Sequence, residues 1–197
     1  MNIVIIKYNA GNIFSVEHAF KRLGVEATVT ADQELIRSAD KVVFPGVGEA
    51  SSTMQYLQQS GLDKLIPALQ QPVLGICLGM QLMCSHSEEG DVDCLNIFDA
   101  EVKRFLPQKH EDKVPHMGWN TIKNVGSNIF DASLENQFVY FVHSYYVALS
   151  KHTIATTDYI QPFSAAIHRD NFYATQFHPE KSGSIGERIL KNFISNT

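Results

Sequence analysis

Val73-Leu74-Gly75-Ile76-Cys77-Leu78-Gly79-Met80-Gln81 is the stretch on which the fold turns. Val73 to Ile76 is short and apolar throughout, as a strand buried on both faces of a parallel sheet would be. A helix is expected to follow at once. Gly75-Ile76-Cys77-Leu78-Gly79 then has the G-x-S-x-G form of a nucleophile elbow, with cysteine in the serine place. A sharp strand-to-helix turn strains the backbone of its middle residue, and the flanking glycines let neighbouring backbone come close. The side chain stands above the sheet edge at a helix N-terminus, whose partial positive charge favours thiolate. A free Leu78 N–H would point to where an oxyanion forms. A buried cysteine in an ordinary strand-to-helix turn is the competing reading.

Upstream, Asn2 to Lys7 reads as a strand. Asn12 can cap a helix whose apolar Ile13, Val16, Phe20 and Leu23 share one face, with Gly24 as its stop. Val25 to Thr30 and Lys41 to Phe44 are further strands, the second ending in Pro45-Gly46-Val47-Gly48. Helix then runs to about Leu69, interrupted near Gly61 and Pro67. This alternation predicts a parallel sheet with helices on both sides.

Downstream the pattern changes. Ala100 to Phe105, Thr121 to Lys123, Phe138 to Val142, Tyr145 to Leu149, Thr153 to Thr157, Ala165 to His168 and Tyr173 to Phe177 read as strands. Few helices separate them, so antiparallel pairing is expected there. A last helix begins near Ser184, which has capping-box spacing to Glu187. Ile185, Ile189, Phe193 and Ile194 form its apolar stripe. The expected fold is α/β: a three-layer sandwich with a mostly parallel central sheet plus a smaller antiparallel β region, one domain over residues 1–197.

The 197 residues are 44% hydrophobic and 19% charged, an ordinary balance for a globular chain. A net charge of −5 gives no electrostatic reason to expect nucleic acid. No apolar run reaches the roughly 18 residues of a membrane span, and Ile3 to Ile6 is too short for a signal segment. No membrane association is expected, and cytoplasm is the default. Three cysteines without a CxxC pair argue against a disulfide framework. Cys84, His86 and Cys94 match no common zinc spacing and lack a fourth ligand, so no metal is expected. Pro45 to Gly48 could turn backbone amides toward an anion but has no nucleotide-binding glycine pattern. No cofactor is expected.

A cysteine nucleophile needs a base and a group that orients it. Of eight histidines, His178 in Gln176-Phe177-His178-Pro179-Glu180 has the best setting. His178 and Glu180, two apart at a strand end, can project to one side. The carboxylate can then accept the imidazole N–H and stabilise the imidazolium. His18 and His152 read as surface residues, His110 lies in a charged loop, and His168 sits in a turn. His143, in Phe141-Val142-His143-Ser144-Tyr145, stays open between a structural, a substrate-adjacent and a basic role.

The elbow with Met80-Gln81 and the Gln176 to Glu180 segment together resemble the class I, triad-type glutamine amidotransferases over the whole chain. Four further segments resemble those members that supply ammonia to a separate cyclase in histidine biosynthesis. They are Tyr8-Asn9-Ala10-Gly11-Asn12, Pro45 to Gly48, Pro115-His116-Met117-Gly118-Trp119-Asn120 and Tyr140-Phe141-Val142-His143-Ser144-Tyr145-Tyr146.

The resemblance implies a flavodoxin-like fold and roles for particular residues. Cys77 would attack the carboxamide of L-glutamine, His178 would move protons, and Glu180 would orient His178. The Val47 and Leu78 amides would form the oxyanion hole. Gly48, Gln81, Glu89, His143, Ser144 and Tyr145 would bind the substrate. The implied partner is a (β/α)8-barrel cyclase subunit in a heterodimer, docked at the Asn12 turn, the Pro45 to Gly48 loop and the His116 to Asn120 segment. Ala10 departs from the methionine or proline more usual at its position, and Cys84 to Asn96 is less typical. A paralogous glutaminase feeding a sugar-amidating partner is the main rival. A cysteine peptidase or chaperone of similar fold would usually carry histidine where Leu78 stands.

Overall fold

The computed structural model describes residues 1–8 and 12–197. Its first half runs β1 (Ile3–Ile6), α1 (Ile13–Arg22), β2 (Ala27–Thr30), α2 (Gln33–Arg37), β3 (Lys41–Phe44), α3 (Ala50–Ser60), α4 (Leu62–Leu65), β4 (Val73–Ile76) and α5 (Leu78–Leu82). Nine strands follow: β5 (His86–Ser87), β6 (Val92–Asp93), β7 (Glu101–Arg104), β8 (His116–Thr121), β9 (Phe138–His143), β10 (Tyr145–Val147), β11 (Thr153–Asp158), β12 (Pro162–Arg169) and β13 (Phe172–Thr175). The last helix is α6 (Gly183–Asn196).

The central sheet has the order β11-β12-β13-β4-β3-β1-β2. The five strands from β13 to β2 are parallel, and β12 and β11 extend that edge antiparallel. Side-chain alternation makes the layers. Val4, Ile6, Val42 and Phe44 pack with Met54 and Leu57 of α3 and Leu62 of α4. Ile3, Ile5 and Val43 pack on the opposite side with Val16 and Phe20 of α1 and Ile189 and Phe193 of α6. Every residue of β1, β3, β4 and β13 is buried. Each large apolar side chain so buried contributes about 1.5–3 kcal/mol relative to exposure. A four-stranded sheet, β10-β7-β5-β6, and the antiparallel ribbon β8–β9 form the added β region.

Several sequence expectations change in detail. α2 went unanticipated, although Asp32 caps it by accepting from the Glu34 and Leu35 amides at 2.8 and 3.0 Å. The His116 to Asn120 segment, absent from the expected strands, is part of strand β8. Only Thr121 of the expected Thr121 to Lys123 strand belongs to it, and Lys123 makes an isolated bridge to Thr156. The capping box at Ser184 and Glu187 does not form. Ser182 precedes α6, its hydroxyl is spent on the His178 carbonyl at 2.6 Å, and Glu187 pairs with Arg22 at 2.9 Å. His152 is buried against Phe98 rather than on the surface, and His168 lies in β12, stacked on Tyr173. Asn9, Ala10 and Gly11 lie outside the described residues, so the Ala10 departure has no structural counterpart here.

Candidate active site

Cys77 stands between β4 and α5 with φ 53° and ψ −106°, a conformation costing a non-glycine residue about 1–3 kcal/mol. The elbow is held from both sides. The Cys77 N–H donates to the Thr175 carbonyl at 2.7 Å, and the Cys77 carbonyl accepts from the Gln81 N–H at 3.2 Å. Gly79 is required by packing, because a Cβ there would collide with the Phe44 carbonyl of β3. Gly75 lies under the helix, where a Cβ would be 3.1 Å from the Met80 nitrogen.

β13 ends at Thr175, one strand over from β4, and the chain continues through buried Gln176 and Phe177 to His178. Pro179 then opens a 3-10 turn over Pro179–Lys181. That turn, rather than strand alternation, brings Glu180 Oε1 within 2.7 Å of His178 Nδ1. Pro179 cannot donate a ladder hydrogen bond, so the strand could not have run on. The His178 N–H donates to the Tyr140 carbonyl at 2.9 Å, tying the histidine to β9. Glu180 Oε1 also accepts from Asn12 Nδ2 at 3.1 Å. Asn12 thus serves the carboxylate, with no side-chain cap on α1.

Burial would lower the pKa of His178, but the negative charge of Cys77, then the hydrogen bond and charge of Glu180, raise it to about 10; its Nε2 has no hydrogen-bond partner among the described residues. The ring is thereby held as an imidazolium beside Cys77, the acid a cysteine nucleophile needs for its leaving group. His143 is the opposite case. Burial drives its pKa down to about 3, against a hydrogen bond from Nδ1 to the Tyr145 carbonyl at 2.7 Å. Its Nε2 lies 3.0 Å from His116 Nδ1, and burial lowers His116 to about 4. Both rings are neutral. Both ring nitrogens of His143 are thus engaged within the wall of the site, by the Tyr145 carbonyl and by His116.

A cavity of about 260 Å³ opens over Cys77. Val47, Gly48, Leu78, Gln81, Glu89, His143, Ser144 and Tyr145 all line it, with Pro115 and Val142. It suits an amino acid, being smaller than pockets for drug-sized ligands. Gln81 Nε2 donates to the Tyr145 carbonyl at 2.9 Å, leaving its Oε1 to accept from a ligand. Glu89 accepts from the Ala50 N–H at 2.9 Å, and burial raises its pKa.

The oxyanion side differs from expectation. The Leu78 N–H is not free; it donates to the Gly46 carbonyl at 3.2 Å. In a trans peptide, C=O and N–H point opposite ways, so the Val47 N–H faces away from Leu78. The first residues of a helix have unpaired N–H groups, and a nearby carbonyl on a glycine-bounded loop takes one of them. Sequence reading also gave no role to Gln176 and placed His116 only at a partner edge, yet both are buried and bonded into the site. Their positions beside recognised motif residues were the available signal.

These features make a candidate site of a cysteine with a histidine–carboxylate pair on a doubly wound sheet. The chain belongs to the family glutamine amidotransferase class-I, whose model matches residues 4–197. It is similar to the imidazole glycerol phosphate synthase subunit HisH of Bacteroides thetaiotaomicron, 69% identical over 194 residues, covering 98% of this chain and 99% of that protein. The subunit of the same description from Idiomarina loihiensis is 47% identical, with 100% and 99% covered. The crystal structure of a glutamine amidotransferase from Thermotoga maritima shares the fold, with a TM-score of 0.62 at 17% identity and 98% and 82% covered.

Proposed function

We propose that the chain is the glutaminase subunit of an imidazole glycerol phosphate synthase, releasing ammonia from L-glutamine for a cyclase subunit. The hydrogen-bonded His178–Glu180 pair against Cys77, under an amino-acid-sized cavity, carries this reading. Cys77 Sγ attacks the carboxamide carbon, and the carbonyl π electrons move to oxygen. His178 Nε2–H protonates the leaving amine, the C–N bond breaks, and ammonia departs from a thioester. His178, now neutral, takes a proton from water as the water oxygen attacks the thioester. The C–S bond breaks, glutamate leaves and the thiolate returns. Glu180 fixes the tautomer by accepting from Nδ1.

Ammonia is mostly protonated in neutral water, so its use requires a partner seated over the cavity. The outward face of β8–β9 suits one. Met117, Trp119 and Phe138 are exposed by 63%, 55% and 57%. Met117 pairs with Val142, which lines the cavity, and Trp119 pairs with Tyr140. An exposed aromatic and methionine cluster beside an active site has the composition of an interface core. The partner is a (β/α)8-barrel cyclase in a heterodimer, working in the cytoplasm. The relatives' names favour it over a sugar-amidating synthase.

With Gly46 holding the Leu78 amide, the isolated chain should turn over very slowly. Docking and acceptor binding would favour the rotated Gly46–Val47 peptide, freeing the Leu78 N–H and aiming the Val47 N–H inward. The test is glutamate release by the chain alone, with cyclase, and with cyclase plus its nucleotide ligand. A large rise in the third arm is expected. Equal rates in all three would reject the coupling and favour an autonomous hydrolase.

A further inference from the structure

Gln176 is fully buried, and the mechanism above leaves it unused. Its Oε1 lies 3.1 Å from Gln81 Nε2, and its Nε2 lies 3.8 Å from Cys77 Sγ. Which end faces the sulfur follows from a group that cannot flip. The Tyr145 backbone carbonyl only accepts, so Gln81 turns its NH₂ toward it at 2.9 Å. The second hydrogen of that NH₂ goes to Gln176 Oε1. With Gln176 reversed, two NH₂ groups would face each other. Gln176 is thereby fixed with its donor on the sulfur. The Val142 carbonyl, 3.9 Å from Sγ, only accepts and so opposes a thiolate.

We propose that Gln176 is a thiolate-holding residue whose carboxamide N–H donates to Cys77 Sγ. It offsets the Val142 carbonyl before attack and receives the sulfur again when the thioester C–S bond breaks. The proposal rests on Cys77 being the nucleophile. His178 and the buried Tyr8 hydroxyl also face the sulfur electrostatically, Glu180 stands behind His178, and Glu89 lines the same cavity. The donor's share must therefore be read with all of these unchanged.

The experiment measures the rate of iodoacetamide alkylation against pH on the full chain, with the labelled cysteine located by peptide mass spectrometry. Gln176→Glu keeps an acceptor for Gln81 and sets a carboxylate oxygen against the sulfur. Gln176→Leu removes the donor and keeps the bulk. A hydrogen bond to a charged group predicts an upward move of the alkylation midpoint of about one pH unit for Leu and more for Glu. In the cyclase complex, kcat for Gln176→Glu should fall about tenfold with KM nearly unchanged, which lost packing alone would not produce. Midpoints equal to that of the unmutated chain would overturn the proposal. Should both variants unfold, the Gln176 side-chain amide of the unmutated ¹⁵N-labelled chain must titrate together with the thiol, and an unmoved resonance would overturn it. Labelling of Cys84 or Cys94 instead would remove the nucleophile reading and this proposal with it. Labelling of Cys77 with unshifted midpoints removes this proposal alone.

Discussion

The two halves of the site meet at the Cys77–Leu78 peptide and are in opposite states of readiness. On the sulfur side, His178 lies 2.7 Å from Glu180, is buried, and is held as an imidazolium by Cys77 and Glu180. On the amide side, the Leu78 donor is occupied by the Gly46 carbonyl. The parts differ in how they are anchored. Cys77 and His178 are pinned by backbone bonds to neighbouring strands, Thr175 and Tyr140. Val47 sits on a loop between two glycines, where one peptide rotation costs little. In the proposed mechanism, proton transfer is thus built into the fold, and anion stabilisation falls to a glycine-bounded peptide that a partner would rotate.

Breaking the assembled half should give the largest effects. Cys77→Ala should abolish glutamate release in the cyclase complex while thermal stability and cyclase binding persist, since no other group can form the thioester. His178→Ala should cost roughly 10² to 10⁴ in rate for each proton-transfer step. An active His178→Ala variant beside a dead His143→Ala one would reverse the assignment of the base.

Val47→Pro sharpens the contrast, because it deletes the N–H that points away in the closed loop. Loss of one oxyanion donor is worth about 10² to 10³ in kcat. That loss should appear only in the activated complex, with the rate of the isolated chain unchanged. An equal fall in both states would mean that the Val47 amide already serves the oxyanion without a partner.

The same contrast decides what was legible in the sequence. The elbow, the His178–Glu180 contact and the parallel core are written in local patterns, an apolar run into Gly75-Ile76-Cys77-Leu78-Gly79 and a His-Pro-Glu step. Strand β9 was read over Phe138 to Val142, but its partner β8 was not, because Met117 and Trp119 present an apolar face outward and break the alternation that marks a half-buried strand. The closed Leu78 amide was equally out of reach, since it depends on the rotation of one peptide. The short α2 was missed because five residues carry too little periodicity to read.

Glu180→Gln should be milder than the loss of His178. Glutamine keeps an oxygen that accepts from His178 Nδ1 but loses the charge that stabilises the imidazolium. Cys77 contributes more than Glu180 to the raised pKa of His178. A tenfold to hundredfold fall in kcat is expected, on the order of 1–3 kcal/mol. The alkaline limb of the rate profile should move to lower pH with it. A loss equal to that of His178→Ala would mean that the tautomer, rather than the charge, depends on Glu180.

The smallest expected effect is on stability, and it separates the neutral histidines from the charged one. His143 and His116 are lowered in the folded chain to about 3 and about 4 from an ordinary 6.5. Below pH 6.5 the unfolded chain therefore binds more protons than the folded one, and stability falls as pH drops toward those values. Each group contributes at most about 1.4 kcal/mol per pH unit in that window. His178 works in the other direction. Its pKa is raised to about 10, so its contribution is complete below pH 6.5 and is lost as pH climbs through 10. Stability should peak near pH 6.5, with Tm lower by roughly 6–12 °C at pH 5. His116→Phe preserves the stacking of ring 116 on Phe141 and Tyr159, at centroid distances of 4.8 and 4.0 Å, while removing one titrating group. Calorimetric scans of that variant should show a shallower acid limb and an unchanged alkaline one. An acid limb as steep as that of the unmutated chain would mean that the neutral pair does not set it.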